Sequence, residues 1–100
     1  MAELELKFPL DHPAAAGHFP GNPIIPGASL LGGTLCAIES ALDCCLIPCE
    51  IRLVKFLHPV RPGDCVVVAY ERTDESGVRF SCIVGGRIVM TGQAACRATP

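Results

Sequence analysis

Hydrophobic and polar positions change period several times along this chain, and each change marks an element. Leu4, Leu6 and Phe8 alternate with Glu5 and Lys7, the period-two pattern of a strand with one buried face, and Pro9 ends its regular pairing. From 10 to 27 the pattern breaks up: Pro13, Pro20, Pro23 and Pro26 alternate with Gly17, Gly21 and Gly27, so neither helix nor strand can run far there. An irregular segment of that length inside a small domain is usually functional or disordered, and Phe19, Ile24 and Ile25 argue against disorder. Over 28–45 the period becomes helical, with Leu30, Leu31, Leu35, Ile38, Ala41, Leu42 and Cys45 recurring at three and four. The polar face is narrow, which predicts a helix covered on most sides and stopped by Pro48. Four runs rich in Val, Ile and Phe follow at 50–60, 64–73, 78–85 and 87–97, separated by the turn signals RPGD, DESG and GG. One strand, a buried helix and four antiparallel strands make a single α+β domain over 1–100, with the helix against one face of a curled sheet.

Composition sharpens the picture. Half of the 100 residues are hydrophobic but only 5% are aromatic and none is Trp, so burial rests on many small and branched side chains. A chain this short buries only roughly 60–65% of the surface its unfolded form exposes, and a partner surface would complete its core. The net charge is −2 with the cationic residues scattered, which argues against nucleic acid. No apolar run reaches the ~20 residues of a membrane span, and the start MAELE is acidic where a secretory signal is basic, so a cytoplasmic protein is expected. Seven cysteines raise the question of disulfides or zinc. Their number is odd, no C-x-x-C occurs, and Cys36, Cys45, Cys65, Cys82 and Cys96 lie in apolar segments, so they read as small reduced core residues and no metal is expected.

The chemistry is concentrated in GHFPGNPIIPG, at 17–27. His18, flanked by Gly17 and Phe19 on a backbone bent by Pro20 and Gly21, is held beside an apolar ring with little freedom, which suits a group that transfers protons near neutral pH. Taken alone it also reads as a loop histidine bonded to backbone. Pro26 and Gly27 precede the helix, so the backbone N–H of Gly27 and its neighbours are donors at the positive end of the helix dipole, where a carbonyl or oxyanion can bind. Taken alone, Pro-Gly merely starts a helix.

Together with the apolar helix and the later FLHPVRPGD, this string resembles the FabZ/FabA-type 3-hydroxyacyl-[acyl-carrier-protein] dehydratases of the hotdog fold, over about 11–96. The resemblance implies a dimer or higher oligomer whose sheets join edge to edge around two long helices. It implies removal of water from a 3-hydroxyacyl thioester carried on acyl carrier protein, giving the trans-2-enoyl thioester without a cofactor. By position, His18 matches the catalytic histidine and Gly27 the oxyanion glycine, while Phe19, Pro20 and Gly21 match the substrate loop that fixes the histidine. One position departs from the family: its second catalytic residue, a Glu or Asp fourteen residues after the histidine, is here Gly32. Glu39 lies about 10 Å farther along the helix axis and reads as a solvated or dimer-facing residue. His12 and His58 read as ordinary polar residues. Two alternatives follow from the missing carboxylate, a non-catalytic acyl-binding or partner subunit and an acyl thioesterase.

Overall fold

The computed structural model describes residues 2–8, 24–42, 49–73 and 77–96. They form strand β1 (Ala2–Lys7), helix α1 (Gly27–Leu42) and strands β2 (Cys49–Phe56), β3 (Cys65–Arg72), β4 (Gly77–Val84) and β5 (Arg87–Cys96). The strands make one antiparallel sheet in the order β1-β3-β4-β5-β2, so the first strand and the one after the helix are its two edges. This is the expected α+β arrangement of one helix and five strands.

The core lies between α1 and one face of this sheet. Register puts Val66, Val68 and Tyr70 of β3, Val78, Phe80 and Cys82 of β4, and Met90 and Ala94 of β5 on the same face, and all are buried. Leu30, Thr34, Leu35 and Ile38, spaced as one stripe of α1, are buried against them. Thr34 is the polar member of this core. Its hydroxyl donates to the Leu30 carbonyl at 2.7 Å and lies 3.4 Å from Cys82 Sγ, so no polar atom there lacks a partner. Burial pushes the Cys82 thiol above its ordinary pKa, with the Thr34 contact a smaller opposing influence, which keeps it a neutral packing group.

Two turns show why the sheet closes as the sequence suggests. Gly85 and Gly86 both have positive φ (58° and 81°), the two-residue hairpin geometry that only glycine adopts freely on both positions. In RPGD, Asp64 N–H returns to the Arg61 carbonyl at 3.0 Å and the Asp64 carboxylate accepts Arg61 N–H at 2.9 Å, with Pro62 presetting the bend and Gly63 at φ 91°. Gly63 N–H then donates to the Phe8 carbonyl at 2.7 Å, tying this turn to the end of β1.

The structure corrects three expectations. The helix is not covered on most sides by its own chain: Leu31, Ala37 and Leu42 are half-buried, and Ala28, Cys36, Ser40 and Ala41 are exposed, because the sheet can reach only one stripe of a helix. Cys82 is a core residue, but Cys36 and Cys65 are exposed free thiols, the first on the helix face away from the sheet and the second at the start of β3. The strand expected to continue to 60 ends at Phe56, since Leu57 and His58 both turn their N–H groups onto the Val89 carbonyl (2.8 and 3.3 Å) and Pro59 has none to offer a ladder. The predicted last turn of the helix and its stop at Pro48 lie outside the described residues, as do Cys44 and Cys45.

Candidate active site

The helix begins with a hydrogen bond from Leu30 N–H to the Pro26 carbonyl at 3.0 Å, which makes Pro26 the capping residue. Proline has no side-chain oxygen to turn back on the first turn, so the N–H groups of Gly27, Ala28 and Ser29 have no acceptor within the helix. Ile25 fixes where they point. Its N–H donates to the Val60 carbonyl at 2.7 Å, an isolated antiparallel bridge that docks the entrance of α1 onto the segment leaving β2.

Between these two segments lies a cavity of about 390 Å³, open to solvent, whose wall includes Ile24, Ile25, Gly27, Leu30, Phe56 and Val60. The lining is apolar except for His58 and the helix start. An acyl chain suits such a wall, and a carbonyl oxygen brought against the helix start would meet free N–H donors with the helix dipole behind them. Gly27 is required for another reason as well. A Cβ on it would stand 3.0 and 3.1 Å from two ring atoms of Phe56, so glycine lets that ring close one side of the cavity against the helix backbone.

Of the residues singled out in the sequence, Gly27 is therefore at the cavity, while His18, Phe19, Pro20 and Gly21 lie outside the described residues, as does His12. Gly32 lies on the described helix, about 7.5 Å along its axis from Gly27. A Cβ there meets no described residue within 4 Å, so among these residues the position of the absent carboxylate faces open space. Its neighbour Gly33 differs: a Cβ there would contact Phe8 at 3.3 Å and Leu6 at 3.6 Å, and this glycine admits β1 and Phe8 close to the helix. Glu39 is half-buried and has an interaction partner, so it is not a displaced acid waiting in solvent.

Phe56, Leu57, His58, Pro59 and Val60 line the cavity without having been assigned any role from the sequence. The signal was present in FLHPVRPGD, where apolar residues run past the end of a strand into a proline-broken segment. Such residues cannot be satisfying a sheet ladder, and a second surface must receive them.

The model of the ApeI-like family, described as ApeI dehydratase, matches residues 1–93. The chain belongs to the ApeI-like dehydratase family. Among curated relatives, it is 30% identical over 92 residues to a 3-hydroxyacyl-[acyl-carrier-protein] dehydratase FabZ from Ehrlichia chaffeensis, covering 83% of this chain and 64% of that protein. It is 32% identical over 101 residues to the enzyme of the same name from Aliarcobacter butzleri, covering 89% and 67%. The chain thus spans a little under two-thirds of the length of the Ehrlichia relative. Among solved structures, the dehydratase heterocomplex ApeI:P from Xenorhabdus doucetiae superposes with a TM-score of 0.74 at 22% identity, covering 95% of this chain and 86% of that one. The chain has the hotdog fold. No helix among the described residues is long and apolar enough to cross a membrane.

Proposed function

We propose that this protein is a cytoplasmic dehydratase of acyl biosynthesis that converts 3-hydroxyacyl thioesters on acyl carrier protein to trans-2-enoyl thioesters, at a rate limited by the absence of a carboxylate at Gly32. The observation that carries the reading is the helix start without a side-chain cap, with Gly27 at the wall of an apolar cavity. In this reading the acyl chain lies along Ile25, Leu30 and Val60, and the thioester oxygen accepts a hydrogen bond from Gly27. His18 removes the proton from the carbon next to the carbonyl, held in place by Phe19, Pro20 and Gly21. As the Cα–H electron pair forms the new double bond, the C3–O bond breaks and the hydroxyl departs with a proton as water. A helix carboxylate would supply that proton. With Gly32 in its place the proton comes from solvent or from the imidazolium, and the elimination is slower. No cofactor is needed for these steps.

The active unit in this reading is a homodimer joined along β2. Ile51, Leu53, Phe56 and Leu57, on this edge strand and just past it, are each between 40% and 53% exposed, an apolar edge of a kind that soluble proteins cover. The open space at Gly32 favours one second reading, a hotdog subunit that binds the acyl thioester without turning it over. Incubating the purified protein with a 3-hydroxyacyl-acyl carrier protein and weighing the carrier by mass spectrometry separates the two. Loss of one water's mass supports the dehydratase, and an unchanged mass with retained acyl binding supports the binding subunit.

A further inference from the structure

Beside the cavity at the helix start lies a second cleft of about 330 Å³, lined again by His58 and Pro59 and in addition by Arg61, Gly85, Arg87 and Val89. The two arginines reach it from different elements, Arg61 from the opening of the RPGD turn and Arg87 from the first position of β5, directly after the diglycine hairpin. The Leu57 and His58 N–H bonds to the Val89 carbonyl hold these two elements together, so the distance between the arginine backbones is fixed by the fold.

Neither guanidinium makes an ion pair with a described residue. Arg79 by contrast pairs with Glu71 at 3.3 Å on β3 and β4, and the Asp64 carboxylate accepts the backbone N–H of Arg61. Among the described residues, no acidic side chain lines the cleft. Two guanidinium groups without an ion pair to any described residue and an imidazole around one concavity, in a protein of net charge −2, form a local anion site, and the forked donors of arginine match phosphate oxygens.

Because His58 and Pro59 line both concavities, one ligand can occupy both, provided a narrow uncharged stretch joins its anionic and apolar ends. The geometry points to the Arg61–Arg87 cleft as the subsite for the phosphate of a pantetheine arm whose thioester end lies in the cavity at Gly27. This rests on the thioester reading above and adds where the arm is anchored. The phosphate belongs either to the diester that joins the arm to a carrier protein or to coenzyme A.

Titration of the whole chain with pantetheine 4′-phosphate and with pantetheine, followed by backbone amide NMR at low salt, tests it. The phosphate should tighten binding roughly tenfold or more, with shifts at His58, Gly85 and Arg87. That preference should vanish in the double variant Arg61→Gln with Arg87→Gln and persist in Arg79→Gln, which removes a guanidinium outside the cleft. The glutamine at 61 keeps the backbone N–H that Asp64 holds, so the turn is preserved. Equal binding of the two probes, no binding of the phosphate probe at millimolar concentration, or a double variant that behaves like the native protein overturns the assignment. Neither probe carries an acyl group to dehydrate, so this result is independent of turnover: a protein that prefers the phosphate but leaves hydroxyacyl thioesters intact contradicts the dehydratase reading alone. Repeating the comparison with a 3-hydroxyacyl-coenzyme A and the matching carrier-bound thioester identifies the source, since the double variant should weaken binding only of the thioesters whose phosphate uses the cleft.

Discussion

A methyl group added at Gly92 would stand 2.6 and 2.8 Å from two atoms of the Phe80 ring and 3.0 Å from the Leu53 carbonyl oxygen. Phe80 is among the largest fully buried side chains, and its ring lies over the glycine of the neighbouring strand, where any side chain would displace it. Gly92→Ala should therefore lower stability by about 1–3 kcal/mol, the usual cost of overpacking, measured as a shift in the urea midpoint. The opposite holds at Gly32, where a side chain meets open space. Gly32→Glu should fold and, if the missing carboxylate limits the chemistry, should raise the dehydration rate at least tenfold, because a positioned acid contributes typically about 10²–10⁴-fold. An unchanged rate in the folded variant would mean the acid's role is met elsewhere. The sequence shows both glycines but cannot distinguish them, because what a Cβ would meet is decided by residues far away in the chain.

At the scale of the element, α1 contains two adjacent glycines that the chain uses differently. Gly33 is packed against Phe8 and Leu6, so its lack of a side chain is structural, whereas Gly32 leaves the helix weakened with no contact in return. Gly32→Ala should stabilise the fold by about 0.5–1 kcal/mol, the difference between the two residues in a helix interior. Gly33→Ala should gain less or lose stability, since its methyl meets Phe8 at 3.3 Å. Paired thermal melts check both. The elements themselves were legible because the hydrophobic period shifts from two to helical and back, and because GG and RPGD require turns whatever surrounds them. What periodicity did not show was the end of β2 at Phe56. The apolar run continues to Val60, and only the two N–H groups converging on the Val89 carbonyl, where β5 carries an extra residue opposite β4, explain why the chain leaves the sheet there. The exposure of Cys36 was hidden for a similar reason: a small residue on a mostly apolar helix carries no mark of which face it occupies.

For the whole molecule, the two edges of the sheet differ. β1 presents Glu3, Glu5 and Lys7 to solvent, charges that discourage pairing with another chain. β2 presents Ile51 and Leu53 with Phe56 beyond them, and α1 leaves Leu31 and Leu42 half-buried. Both observations agree with a chain too small to cover its own apolar surface. Sedimentation at micromolar protein should give a species of twice the chain mass, and Leu53→Asp should shift it toward monomer; a stable native monomer would remove the β2-joined dimer from the account. The family was legible in the sequence because GHFPG and the later Pro-Gly-Asp string are specific as a pair, whereas the cavity wall at 56–60 emerged only when the fold brought β2's end to the helix start.

In the proposed reaction a histidine base at His18 and the helix-start donors at Gly27 together eliminate water from a hydroxyacyl thioester. The most direct measurement is the single-turnover rate of 3-hydroxyacyl-acyl carrier protein dehydration by the native protein and by His18→Ala, with acyl affinity measured on both. The native protein should turn over at a measurable rate that falls by about 10²–10⁴-fold in the variant, while affinity and oligomeric state stay nearly unchanged. Equal rates in the two proteins, or no turnover in either, would contradict it.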